Sequence, residues 1–132
     1  MRKWMVDPVI MCRQHLLGEH TEMHMFVGTI NKKISVKGYL ENNLFEPLFL
    51  KQRHDDIAVE MLRREMRHNT PIDELPDMSY LKDNINWQID QQDAEWKLIL
   101  RCAKCRERLR KLNPNAFNIK QYNDITEKIN NQ

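Results

Sequence analysis

Two groups near the start of the chain have the types and spacing for covalent chemistry: the α-amine of Met1 and the carboxylate of Glu22. An α-amino group titrates at about pH 7.7–8.0, against about 10.4 for a lysine amine, so near neutrality an appreciable fraction of the terminal amine is unprotonated and nucleophilic. The adjacent cations Arg2 and Lys3 push its pKa lower still. Arg2 also makes Met1 a poor target for methionine removal, which requires a small second residue, so Met1 is expected to supply the amine. Glu22 stands in a polar row with His15 and Glu19, at i, i+4 and i+7, which converge on one helix face.

Two further constellations could hold a metal. His20 and His24 are four apart, as in a zinc hydrolase helix, but H-x-E-x-H turns Glu22 away from their shared face. Cys102 and Cys105 form a C-x-x-C inside a strongly helical segment with no second ligand pair nearby in sequence, and a closed zinc site needs four ligands. The expected metal content is none.

The elements that must position these groups read as helices. Asp7 is a good N-cap and Pro8 suits the first helical position, so a helix is expected from Pro8 to about Ile30, with Ile10, Leu16, Leu17, Met23, Val27 and Ile30 apolar at helical spacing. A connector follows, with a short turn around residues 39–43. A second helix is expected from about Pro47 to His68, burying Leu50, Ile57, Met61 and Leu62 and leaving Arg53, Glu60, Arg63 and Arg64 outside; Asn69-Thr70-Pro71 would stop it. A third is expected from about Asn84 to Lys111, with Trp87, Trp96, Ile99, Leu100 and Ala103 inward and Asn113-Pro114-Asn115 as terminator. Ile119, Tyr122, Ile125 and Ile129 suit a short final helix. The fold class is therefore all-α: one domain, residues 1–132, of about three long helices plus a short C-terminal helix.

Gln14-His15-Leu16, Glu19, Glu22 and Phe26-Val27-Gly28, with Leu50-Lys51-Gln52-Arg53-His54 through Glu60-Met61-Leu62-Arg63-Arg64, resemble the pyrimidine-dimer DNA glycosylases of the phage endonuclease V type over residues 1–72. In that family the nucleophile is a terminal amine exposed by methionine removal, and aligning the motifs places Met1 itself in that register. The resemblance implies a DNA repair glycosylase that is also an abasic-site lyase. Met1 would attack the anomeric carbon of an extruded nucleotide, and Glu22 would stabilise the cationic sugar and assist β-elimination. No cofactor is implied. Arg2 would bind a phosphate, Gln14 would contact the nucleic acid, and His15 would orient Glu22 or bind phosphate. Thr21 and Met25 stand where the family carries arginines, and its aromatic, basic tail is absent, so the lesion implied is a pyrimidine dimer or another damaged or modified base.

Composition sets the remaining bounds. The chain has 132 residues and a net charge of +2, so bulk charge does not argue for nucleic acid; its distribution does. Asp73 to Glu95 holds seven acids against Lys82, and Lys97 to Lys111 holds seven bases against Glu107. That basic end, including Arg101, Lys104 and Arg108, suits either helix-dipole complementarity or a phosphate-binding patch, and Lys32 and Lys33 offer a second one. Three cysteines argue against a disulfide framework, and no signal peptide or membrane span is visible. The expected setting is the cytoplasm of a bacterial or phage-infected cell, the expected partner double-stranded damaged DNA, and the expected state a monomer. The alternative is a non-catalytic helical module that binds nucleic acid or a protein; a metal-dependent hydrolase through His20 and His24 is a third reading.

Overall fold

Asp7 caps a single turn and not a long helix. In the computed structural model, which describes residues 3–113, the Asp7 carboxylate accepts from the Val9 N–H at 3.0 Å and Pro8–Ile10 forms one 3-10 turn. Met11 and Cys12 are then extended, and helix α1, Arg13–Asn31, starts afresh with Cys12 as its N-cap. The expected helix from Pro8 is thus two elements. Apolar spacing runs smoothly across the break because Ile10, Met11 and Leu16 enter the same core from both sides of it.

Along α1, Leu16, Met23, Phe26 and Ile30 are buried, while Leu17 and Val27 are half-buried. Helix α2, Lys37–Glu41, is the short turn of the connector. Helix α3, Leu50–Arg63, is shorter than expected at both ends. Glu65 takes a left-handed φ of 61°, its N–H returns to the Leu62 carbonyl and that of Met66 to the Met61 carbonyl. That Schellman closure ends the helix well before Pro71. Lys33, with φ 55°, ends α1 in the same way. Leu50, Ile57 and Met61 are buried as expected, but so are Arg53 and Glu60; Arg64 is half-buried and Leu62 is exposed.

A second 3-10 segment, Ser79–Asn86, precedes α4, Gln91–Arg101, whose N-cap Asp90 accepts from the Asp93 N–H at 3.1 Å. Helix α5, Ala103–Leu112, follows after a break at Cys102. The single third helix is therefore a 3-10 segment and two helices. Trp87 lies in the extended stretch before α4 and is exposed. Ile99 is buried and Trp96 and Leu100 are half-buried, whereas Ala103, past the break, is exposed. The expected terminator at Pro114 and the short final helix lie outside the described residues.

Helix α1 spans two cores. Its first half packs with the N-terminal segment, α3, α4 and α5 around Met11, Leu16, Ile57 and Leu98; its second half packs with α2 and the Ser79–Asn86 segment around Phe26, Phe45 and Leu81, where Phe26 and Phe45 stack at 4.0 Å. The described residues are helical with no strand, so the architecture is all-α. No helix among them is long and apolar enough to cross a membrane.

Candidate functional site

The N-terminal segment is held down by buried charge. The Lys3 N–H donates to the Leu44 carbonyl, and its fully buried amine donates to the Glu46 carbonyl at 2.8 Å. Burial lowers the Lys3 pKa to about 7; the nearby Glu46 and Glu19 carboxylates oppose the shift and the Arg53 guanidinium adds to it. Arg53, from α3, makes a two-pronged pair with Glu19 of α1, Nη2 to Oε1 at 2.9 Å, and its Nη1 donates to the Val6 carbonyl. Glu19 is thus engaged by Arg53 and not by a neighbour on its own helix. Its burial needs that partner, because a lone buried carboxylate would be strongly destabilising.

Two more arginines fix the turn that follows. Arg64 donates to the carbonyls of Pro8, Val9 and Met11 at 2.8–3.3 Å, and Arg108, from α5, donates through Nε and Nη2 to the Val9 carbonyl at 3.0 and 2.9 Å. The spacing of Arg53 between Leu50 and Ile57 already puts it on the apolar stripe of α3, a signal that a residue-by-residue charge reading passes over.

Met1 and Arg2 lie outside the described residues. Glu22 is half-buried on α1, one turn beyond Glu19. Gln14 is exposed at the start of α1, and Lys104 and Arg101 are exposed at the α4–α5 junction. Helix α5 packs against the Pro8–Ile10 turn, which brings the basic helix to the start of α1. Lys32 and Lys33 are exposed at the opposite end of α1, about 27 Å from Gln14 at 1.5 Å per residue. These five therefore form two groups, not one patch. His15 is half-buried, with its ring edge-on to Trp4 and Nδ1 turned towards the thiols of Cys12 and Cys105. Burial lowers its pKa, which favours the neutral ring.

His20 and His24 do share a face, and the fold adds His54 and His68 to it. The His20 ring lies 4.7–5.0 Å from the other three, and His54 and His68 bring their Nε2 atoms to 3.3 Å. The Nε2 atoms of His20 and His24 are buried without a hydrogen-bond partner among the described residues. Burial, then the neighbouring rings, lower the His20 pKa to about 4, so the ring is neutral at pH 7. One donor atom from each of His20, His54 and His68 falls within 4.8 Å of the others, an arrangement with the ligand type for a transition metal.

The second four-residue group is Cys12, His15, Cys102 and Cys105, whose donor atoms also lie within 4.8 Å of one another. Cys102 is not inside a helix but at the break between α4 and α5. The ligand pair that the C-x-x-C lacks in its own neighbourhood comes from the start of α1. The signal was present as Cys12-x-x-His15, a second pair of ligands at the same spacing. An open cleft of about 490 Å³ between the N-terminal segment and the start of α3 is lined by Asp7, Glu46 and Asp56 besides Arg53 and, among the described residues, by none of those expected to bind DNA.

A family model described as pyrimidine dimer DNA glycosylase matches residues 1–74. No curated protein and no solved structure matches the chain. The matched stretch runs through α1 and α3 and includes Lys3, Glu19, Glu22 and Arg53.

Proposed function

The chain belongs to the pyrimidine dimer DNA glycosylase family, and from that premise we propose that it is a DNA repair glycosylase with abasic-site lyase activity, acting through Met1 and Glu22. The observation that carries the reading is the anchoring of Lys3. The residue two peptide units downstream of the terminal amine is buried close to Glu19, one helical turn before Glu22. An amine must be held near its carboxylate for the two to act on one sugar, and positioning of this kind supplies much of the rate of such reactions.

In the proposed reaction the damaged nucleotide leaves the stack of duplex DNA, at a cost of a few kcal/mol. The neutral Met1 amine attacks C1′, the C1′–N bond to the base breaks, and the base departs with the bonding pair and takes a proton. Cleavage of the C1′–O4′ bond opens the sugar to a protonated imine. Glu22 stabilises the cationic sugar and assists loss of a C2′ proton; the resulting electron pair expels the 3′ phosphate and cuts the strand. Gln14, Arg101 and Lys104 contact the duplex near the start of α1, with Arg2 on a phosphate beside the nucleophile; Lys32 and Lys33 contact it at the far end. His15 and Arg108 lie at the same end as Gln14, with Arg108 held by its bonds to Val9. Thr21 and Met25 replace the arginines expected on either side of Glu22, so the substrate is a pyrimidine dimer or another lesion recognised with fewer phosphate clamps.

Borohydride trapping on a duplex with one abasic site tests this. Untagged protein should give a covalent protein–DNA band, and extending the chain ahead of Met1 should abolish it. Glu22→Gln should slow strand cleavage by about 10²–10⁴-fold, the range for loss of a positioned acid–base group. No band from protein whose mass confirms a free Met1 would overturn the imine mechanism and leave a DNA-binding module.

A further inference from the structure

Cys12 and Cys102 do the same work at two helix starts. Cys12 caps α1, its thiol accepting from the His15 N–H at 3.5 Å; Cys102 caps α5, its thiol accepting from the Cys105 N–H at 3.4 Å. In each pair the residue three positions on turns its own donor back towards the cap. The two helix starts face each other, with Cys12 Sγ 3.7 Å from Cys102 Sγ, and His15 Nδ1 3.2 Å from Cys12 Sγ and 3.8 Å from Cys105 Sγ. A further N–H, that of Cys12, donates to the Cys105 sulfur at 3.1 Å.

We propose that Cys12, His15, Cys102 and Cys105 bind one structural zinc ion, which staples the start of α1 to the junction of α4 and α5.

The spacings fit a single tetrahedral ion. With Zn–S of about 2.3 Å and Zn–N of about 2.0–2.1 Å, tetrahedral edges come to about 3.8 Å between sulfurs and about 3.5 Å between sulfur and nitrogen. The three separations of 3.7, 3.2 and 3.8 Å straddle those values. A disulfide needs sulfurs about 2.05 Å apart, so the Cys12–Cys102 contact is not one, and any pairing would leave a third thiol over. Three thiols packed on one imidazole are weak partners for each other; an ion gives all four donors a strong one. Two helix N-termini and three backbone N–H groups point at the sulfurs, an arrangement that suits bound thiolates, although burial raises the Cys105 pKa in the metal-free fold. Four protein ligands close the coordination shell, which makes the site structural and not catalytic, and a multi-iron cluster would need a wider cage.

The staple also has a place in the fold. Cys12 and His15 lie within the stretch matched by the family model, and Cys102 and Cys105 lie beyond it. The ion would therefore bind the matched helical core to the segment beyond the match, and with it hold Lys104 and Arg108 beside the start of α1. None of this depends on the glycosylase reading.

The test is metal titration of the full-length chain, reduced and stripped with a chelator. One equivalent of Co²⁺ should produce the near-ultraviolet thiolate-to-cobalt charge-transfer band and the intense visible bands of tetrahedral cobalt, and one equivalent of Zn²⁺ should displace both. Cys102→Ser and Cys105→Ser should each weaken zinc binding by at least about 100-fold, because each removes a ligand from a closed shell. His15→Cys should keep the ion and strengthen the charge-transfer band. Two results would overturn the proposal: no thiolate band from unmutated protein with its helical circular dichroism and free thiols intact, or full zinc affinity retained in Cys105→Ser, which would place the ion on His20, His54 and His68. The cobalt spectrum of the unmutated chain decides the matter even if a variant fails to fold.

Discussion

Lys3 carries the sharpest consequence of any one residue. A lysine titrates at 10.5 in the unfolded chain and at about 7 in the fold, lowered chiefly by burial. Between those values the unfolded state binds more protons, so this group's contribution to stability is complete above pH 10.5 and is lost as pH falls to about 7. Urea unfolding of wild type and Lys3→Met should therefore diverge in favour of wild type as pH rises through that window; a constant difference would mean the amine stays charged in the fold. The same variant separates two amines. Trapping should survive Lys3→Met, because its amine is buried and donated to Glu46; loss of trapping there, with retention in the N-terminally extended form, would make Lys3 the nucleophile. Spacing alone reads His15, Glu19 and Glu22 as one converging row. The fold sends His15 to the thiols and Glu19 to Arg53 and leaves Glu22 half-buried. Helical period sets the side of a helix a residue is on; what packs there comes from segments far away in sequence.

At the scale of elements, the helices were legible and their breaks were not. Apolar period locates α1 and α3, but the Asp7-Pro8 signal marks only a 3-10 turn, and the breaks at Cys12 and Cys102 occur where a thiol caps the next helix, and cysteine is not an expected cap. The burial of Arg53 does not follow from local pattern for a related reason: a charge enters a core only when its partner does, and Glu19 lies on another helix, whereas buried Glu60 is paired with Arg63 and Arg64 one turn on. The Glu19–Arg53 pair is the main polar link between α1 and α3, and its loss should be costly. Arg53→Met strands a buried carboxylate and should destabilise the protein by about 3–5 kcal/mol in chemical denaturation. Replacing both residues with leucine should recover most of that, leaving about 1 kcal/mol for the Val6 carbonyl that loses its donor. A cost below about 1 kcal/mol for Arg53→Met would show that the pair does not tie the helices together.

For the molecule as a whole, charge distribution decides how a duplex would lie. Lys104 and Arg101 extend from the α4–α5 junction, Lys32 and Lys33 from the far end of α1, and about 27 Å of helix separates the two ends. At about 3.4 Å per base pair that is roughly eight base pairs, so one duplex laid along α1 reaches both. Lys104→Ala and Lys32→Ala should then each lower the salt slope of binding by about 1, and weaken undamaged and damaged duplex alike, because a phosphate contact carries no information about the lesion. Arg108→Ala should behave differently. Its guanidinium bonds the Val9 carbonyl, so the change should lower the thermal midpoint and leave the slope nearly unchanged. A slope that responds to Lys104 but not to Lys32 would put the duplex across the α1 start and α5 instead of along α1. The damaged nucleotide would then be approached from the end of the molecule where Cys12, His15, Cys102 and Cys105 meet.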